Sequence, residues 1–228
     1  MKKHIVVLTG AGSSAESGLK TFRDADGLWE GFNVEDVATP GAWKKDPQLV
    51  LNFYNMRRAD VAKAKPNAAH IGLAELETDF EITIITQNID DLHERAGSTH
   101  IVHLHGEIFK MRSEKISSLI YEIREDILHG QLAEDGAQLR PHIVWFEEEV
   151  PMINVAAQIA KEADIFIVIG TSLAVYPAAG LVHYAPRSAP KYIIDKNIPD
   201  VSYIPNLIKL EKPATERIKE LKKLLNMM

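Results

Sequence analysis

Residues 6–18 read VVLTGAGSSAESG, an apolar run that passes directly into glycines and small polar residues. The run has the length and character of a parallel strand covered on both faces, which predicts a first strand over residues 4–9. Gly10, Gly12 and Ala15 satisfy the pattern G-x-G-x-x-A. In that pattern a bare glycine turn lets a pyrophosphate sit on the N-terminus of the next helix, expected here over residues 14–19. The loop alone also fits a plain tight turn, but a strand before it and a helix after it favour phosphate binding. The fingerprint has a second half. About 20 residues on, at the end of a second strand, an acidic side chain should hold the adenosine ribose. That region reads TFRDADGLWEGF, residues 21–32, which is a loop. The acid must come from elsewhere in the chain.

Further strands are expected in FEITIITQN, IVHLHG, DIFIVIGTS, KYIIDKN and IKLEK. Between them, residues 47–65 read as a helix in which Leu51, Tyr54 and Arg58 recur at helical spacing and Pro47 suits the first turn. NAAHIGLAELE reads as a second helix capped by Asn67. Residues 91–96 read as a short third, and a C-terminal helix is expected from about Ala214. Strands alternating with helices imply an α/β protein with a Rossmann-like open parallel sheet and helices on both faces. Two stretches break the alternation. Residues 20–66 are loop and then helices with no strand, and residues 107–140 are polar and punctuated. The expected division is a Rossmann-like domain from residues 1–24, 73–106 and 141–228, and a small, mainly helical lobe from residues 25–72 and 107–140. Ile116, Leu119, Ile120, Ile123 and Ile127 form the helical stripe of that lobe.

The chain has 228 residues, 46% hydrophobic and 25% charged, ordinary values for a globular protein able to bury a core. A net charge of −6 gives no electrostatic case for nucleic acid. MKKHIVVLTGAG looks superficially like a signal peptide, but its apolar run is short and ends in the glycine loop, so it reads as the first strand. No stretch is long enough to span a membrane, and a cytoplasmic setting is the expectation. There is no cysteine, which excludes disulfides, thiol catalysis and thiolate metal sites.

Chemistry gathers at strand ends. TQNIDDLHERAG follows the second strand, where open α/β sheets bind ligands. Gln87 and Asn88 both donate and accept, which suits ribose hydroxyls and a carboxamide, although Asn88 or Asp90 would also serve as a plain helix cap. HIVHLHGE carries His100, His103 and His105. The spacing resembles metal ligation, with His103 and His105 on one strand face, but no cysteine or acid cluster completes a site. His105, at a strand end before Gly106, suits a general base. Gly170, Thr171 and Ser172 form a second small-residue loop able to bind phosphate oxygens. Asp195 ends KYIID where a strand's carboxyl end should be, and is the candidate for the missing ribose acid.

These segments, in this order, resemble the sirtuins, the NAD-dependent protein-lysine deacylases, across most of the chain. GAGSSAESGLKTFR resembles their first cofactor motif, TQNIDDLHERAG the second, HLHGE the catalytic-histidine motif, RPHIVWFEEEVP the acyl-lysine channel and GTSLAVYPAA a later cofactor motif. The resemblance implies NAD as cofactor and acylated protein lysines as substrates, giving nicotinamide and O-acyl-ADP-ribose. It implies His105 as general base on the nicotinamide ribose, with Gln87 and Asn88 positioning that ribose and its water. Asp90 would hold the nicotinamide carboxamide. Ala11, Ser14, Phe22 and Arg23 would belong to the cofactor loop with Gly10, Gly12 and Ala15, and Ala214 to the cofactor-binding set. Val144, Trp145 and Phe146 would line the acyl-lysine channel. FYNMRR resembles the bacterial deacylases that also remove acidic acyl groups: Tyr54 and Arg57 share a helix face and would hold a succinyl or malonyl carboxylate, while Arg58 points to solvent.

Three departures stand out. The four-cysteine zinc module usual in sirtuins is missing, and apolar packing of residues 107–140 is expected in its place. The family's glycine after WF is Glu147. The usual ribose asparagine is Asp195, which favours NAD over NADP. Two other readings remain compatible with parts of the sequence: a catalytically weak NAD or ADP-ribose-binding homologue, and a hydride-transferring dehydrogenase, which the glycine loop alone permits.

Overall fold

A computed structural model describes residues 2–20, 28–29 and 31–227. Phe22 and Arg23, expected in the cofactor loop, lie outside the described residues. β1 (His4–Thr9) runs into two short 3-10 turns, Ala11–Ser13 and Ala15–Ser17, where an α-helix was expected over residues 14–19. The cause is local: the Ser13 hydroxyl donates to the Gly10 carbonyl at 2.7 Å, closing a tight turn at the expense of a helix. A hairpin of two-residue strands, β2 (Leu28–Trp29) and β3 (Phe32–Asn33), follows in a stretch expected to hold no strand. Strands this short leave no alternating pattern to read.

Three helices come next: α1 (Val34–Val37), α2 (Pro40–Lys45) and α3 (Pro47–Lys63). α3 starts as its sequence dictates, with the Asp46 carboxylate accepting from the Leu49 amide at 2.9 Å and Pro47 in the first turn. α4 (Ala68–Leu76) is capped by Asn67, which accepts from the Ala69 amide at 2.9 Å. Then come β4 (Glu81–Thr86), α5 (Leu92–Ala96), β5 (Ile101–His103), β6 (Gly106–Ser113), β7 (Ile120–Glu122) and β8 (Leu139–Ile143). α6 (Ile153–Lys161), β9 (Ile165–Ile169), a 3-10 helix (Ala178–His183), β10 (Lys191–Asp195), β11 (Leu207–Glu211) and α7 (Ala214–Asn226) complete the order. α6 buries small residues, Ala156, Ala157 and Ala160.

The six parallel strands form one sheet in the order β11-β10-β9-β1-β4-β5. Counted within the sheet this is 3-2-1-4-5-6, the dinucleotide-binding order, with its reversal between β1 and β9. Strand period decides which residues face which layer. Ile5 and Val7 pack with Leu73, Leu76, Ile218 and Leu221 of α4 and α7, while Val6 and Leu8 pack with the alanines of α6 on the opposite face. Near-continuous apolar strands follow from this double cover.

Of the two stretches expected to form a mainly helical lobe, residues 25–72 carry α1, α2 and α3, whereas residues 107–140 belong to an antiparallel sheet, β7-β6-β8. Of the supposed helical stripe, Ile123 and Ile127 are buried, whereas Ile116 and Ile120 are 47% and 43% exposed. The buried pair lies beyond β7 and packs with residues of α3 and β6 in one apolar cluster. The same spacing therefore arises from a strand followed by a loop.

Zinc does not fit this sheet. There is no cysteine, and among the described residues no three His, Asp or Glu side chains gather as ligands. Hydrogen-bonded clasps hold it alongside the apolar contacts. The Ser113 hydroxyl donates to Asp135 at 2.6 Å and accepts from the Lys115 and Ile116 amides, tying the turn after β6 to the turn before β8. Arg58, expected in solvent, is 1% exposed. Its guanidinium donates to the Ile108 and Glu125 carbonyls and to Asn55, and Asn55 in turn donates to the Ile127 carbonyl and accepts from the Ile127 amide. Burial lowers the Arg58 pKa to about 10, so it stays charged at neutral pH.

Removing Arg58 leaves buried carbonyls without donors. Arg58→Met is expected to cost about 2–4 kcal/mol in urea unfolding, whereas EDTA should leave the wild-type midpoint unchanged.

Candidate active site

A cavity of about 450 Å³ lies beyond the carboxyl ends of the parallel strands, at the reversal between β1 and β9. Its floor is made by two loops that touch. The Gly10 amide donates to the Ile169 carbonyl at 3.0 Å and the Gly12 amide to the Gly170 carbonyl at 2.8 Å. A Cβ on Gly10 would stand 2.7 Å from the Thr171 Cβ, and one on Gly12 would stand 2.8 Å from the Gly170 Cα. Gly170 has φ 64°, and a Cβ there would meet the Ser13 amide nitrogen at 2.2 Å. The glycines of both loops are thus required by each other's backbone. Ala11, Ser14, Ala15, Thr171 and Ser172 line the same floor.

Asp195, at the end of β10, and Ala214, at the start of α7, form one end of the cavity. The candidate for the acid sought about 20 residues after the glycine loop thus stands on a strand across the reversal. Asp195 Oδ1 accepts from the Asn197 amide at 3.0 Å.

The loop after β4 forms the opposite end. Gln87 donates to the Thr171 hydroxyl at 3.2 Å, joining the two halves of the site. Asn88 is buried, and its amide nitrogen donates to the Ser13 and Ser14 hydroxyls at 3.1 and 3.0 Å. Asp90, one residue before the N-cap of α5, accepts from the Leu92 amide at 3.1 Å while lining the cavity. Burial pushes its carboxyl above the usual carboxylate range, against the pull of Leu92 and Ser14.

His105 lies two residues beyond the end of β5, and its Nδ1 meets the Gln87 carbonyl at 3.0 Å. A carbonyl only accepts, so Nδ1 carries the proton and Nε2 is the bare nitrogen of the neutral ring. Burial lowers the His105 pKa against the opposing Gln87 bond, which keeps that ring neutral near pH 7. Gly106, at φ 82°, allows the next step of the chain: a Cβ there would stand 2.0 Å from the His142 carbonyl oxygen. The Val144 amide then donates to the His105 carbonyl at 2.9 Å, so the histidine and the β8 end are one unit.

Val144, Trp145 and Phe146 line the remaining side with Tyr54 and Arg57. The Tyr54 and Trp145 ring centroids lie 6.5 Å apart, and the Arg57 guanidinium sits 5.2 Å from the Trp29 ring centroid. Both Tyr54 and Arg57 are buried, and burial pushes the Tyr54 hydroxyl well above its ordinary pKa.

The sequence pattern of the Sir2 family matches residues 10–177. An NAD-dependent protein deacylase of Bacteroides thetaiotaomicron is 54% identical over 229 residues, covering 98% of each chain. Another, from Helicobacter pylori, is 51% identical over 219 residues, covering 96% of each. The chain belongs to the Sir2 family. Among solved structures, a Sir2 homologue bound to NAD superposes with a TM-score of 0.88 at 38% identity, covering 99% of this chain and 90% of that one. A mutant Sir2 homologue bound to ADP-ribose gives 0.89 at 37% identity, covering 100% and 95%.

Glu147 has φ 71°, in the left-handed region that favours glycine. Glu148 beside it is a different kind of residue. Its carboxylate takes two hydrogen bonds from Arg140, at 2.8 and 3.1 Å, and one from the Trp145 amide at 2.8 Å. Arg140 lies 3.2 Å from the Trp145 ring centroid, so this pair fixes the orientation of a cavity wall. Arg140 and Glu148 lie within RPHIVWFEEEVP but were not singled out in the sequence, and Trp29 sits in a stretch with no pattern around it.

The glycine seam yields a graded test. Gly170→Ala forces a backbone overlap and is expected to lower stability by more than about 2 kcal/mol, while Gly18→Ala, at φ 88° with open space around it, costs about 1 kcal/mol. Paired urea unfolding curves measure the difference.

Proposed function

We propose that this NAD-dependent protein deacylase removes acidic acyl groups, succinyl and malonyl, from protein lysines in preference to acetyl. The observation that carries the preference is Arg57, a cation buried in the cavity wall beside Tyr54, Trp29 and Trp145. A planar guanidinium and a phenol in an otherwise aromatic pocket match a carboxylate far better than a methyl group.

The cavity suits NAD in its parts. The glycine floor and the hydroxyls of Thr171, Ser172 and Ser14 suit a pyrophosphate, Asp195 the adenosine ribose hydroxyls, and Asp90 the nicotinamide carboxamide. Gly10, Ala11, Gly12, Ala15, Gly170 and Ala214 contribute backbone and small side chains that leave room. Bound there, NAD supplies a ribose whose bond to nicotinamide can be broken in favour of an acyl oxygen. Gln87 and Asn88 orient that ribose. His105 Nε2 accepts a proton from a ribose hydroxyl, while its Nδ1–H stays on the Gln87 carbonyl. Val144, Trp145 and Phe146 hold the lysine side chain, and the aromatic wall keeps bulk water from the acyl group.

Two measurements test this reading. Peptides carrying succinyl- or acetyl-lysine, incubated with NAD and followed by mass spectrometry, should show higher kcat/KM for the succinyl peptide. Arg57→Met should lower only that value, by roughly 10–100-fold, as loss of a charge-assisted hydrogen bond predicts. Equal loss for both acyl groups would make Arg57 structural.

The second concerns pH. A base must be neutral to act, and burial places the His105 pKa below its ordinary 6.5. The acid limb of kcat/KM is therefore expected below pH 6.5, with full activity retained at pH 7. His105→Ala should remove roughly 10²–10⁴-fold or more of the rate at pH 7 and above, and the acid limb should disappear with it.

A further inference from the structure

His103 has the sequence spacing of a metal ligand, yet among the described residues no ligand cluster surrounds it. Its side chain is 11% exposed. Both ring nitrogens meet acceptors. Nε2 faces Glu94 Oε1 of α5 at 2.7 Å, and Nδ1 faces the Asn88 carbonyl at 3.2 Å. A carboxylate and a carbonyl cannot donate, so both nitrogens carry protons and the ring is an imidazolium. His105 makes the parallel contact one residue earlier, from Nδ1 to the Gln87 carbonyl. Two imidazoles thus grip successive carbonyls of the loop that carries Gln87, Asn88 and Asp90.

We propose that His103 is a positioning residue whose imidazolium, clamped between Glu94 and the Asn88 carbonyl, fixes the loop at the nicotinamide end of the NAD site. This rests on the functional reading above for what that loop binds. The titratable groups around the ring are consistent with the clamp, His93 being held neutral by burial. Glu94 and His93 face it from α5, Asp90 from the loop, and Glu107 from β6, where Lys110 pairs with Glu107 at 2.8 Å. Burial alone would lower the His103 pKa, but the Glu94 carboxylate, with Glu107 and the Asn88 carbonyl, raises it on balance.

The clamp has a distinctive weakness. When His103 loses a proton, the remaining one stays with the Glu94 carboxylate, because that bond is charge-assisted. Nδ1 then presents a lone pair to the Asn88 carbonyl, and the loop is released. A glutamine at residue 94 changes this outcome, since its amide can donate to Nε2 and leave the Nδ1 proton in place at every pH.

The test combines ¹⁵N NMR of labelled histidines, which locates the His103 titration, with calorimetric NAD affinity measured on both sides of it. In the wild type, His103 should show two protonated ring nitrogens at the acid end, and NAD affinity should fall roughly tenfold as that ring titrates. Glu94→Gln should flatten this basic limb, and His103→Leu should bind NAD roughly tenfold more weakly at all pH values. A singly protonated His103 at the acid end, a wild-type affinity flat through its titration, or wild-type affinity in His103→Leu would each overturn the proposal. Should His103→Leu fail to fold, Glu94→Gln, at a half-exposed position, still decides it. Absence of NAD binding by the wild type would sink the functional reading and the proposal together, and is recognised because the ring spectrum would still report the Glu94 pair.

Discussion

The hydrogen bond from the Gly12 amide to the Gly170 carbonyl closes the seam between β1 and β9, and the site is laid out from that seam. Because the strand order reverses there, the two loops leave the sheet side by side with their connecting segments on opposite faces. Backbones this close admit no Cβ at residues 10, 12 or 170. The glycines usually credited to phosphate contact are therefore needed first for loop-on-loop packing. The open floor follows from the same geometry, and so does the reach of Gln87 across the seam to Thr171.

The parallel sheet was legible because each of its central strands is apolar on both faces over a run too short for a helix. Each strand expected in it formed, and Asp195 fell at a carboxyl strand end as read. The stretch from residue 107 to 140 was not legible, because period alone does not separate a helix from a short hairpin with a loop that returns to the core. The spacing of Ile116, Leu119, Ile120, Ile123 and Ile127 misleads there for a concrete reason: no residue of β7 is fully buried, so the alternation that would mark a strand is absent. Arg58 was misplaced by geometry that is correct for an isolated helix. It does point about 100° from Arg57, but the small sheet, not solvent, lies in that direction.

The small sheet shows how a metal knuckle can be replaced. Two turns must be held together near strand ends, and apolar packing cannot do this alone because turns carry unsatisfied amides. Ser113 answers both needs, accepting two amides of its own turn and donating to Asp135 of the other. Asp135 does the same on its side by accepting from the Ala137 amide. At the far edge, Arg58 and Asn55 satisfy carbonyls that the loop before β8 leaves open.

Where the adenosine is held decides where chemistry can take place. In the usual fingerprint the ribose acid follows the next strand in sequence beside β1, here β4, which directs the adenosine that way. In this chain the β4 end is occupied by Asn88, Asp90 and His105, and Asp195 stands across the seam at the end of β10. Under the proposed reading the dinucleotide runs with its nicotinamide over β4 and β5. Those strands are the ones continuous with the small sheet, through Gly106 and the β6–β8 pairing. The reacting carbon is thereby brought to the junction where Val144, Trp145, Tyr54 and Arg57 converge. Had the acid followed β4, the adenosine would occupy that junction, and the acyl pocket would face the wrong end of its cofactor.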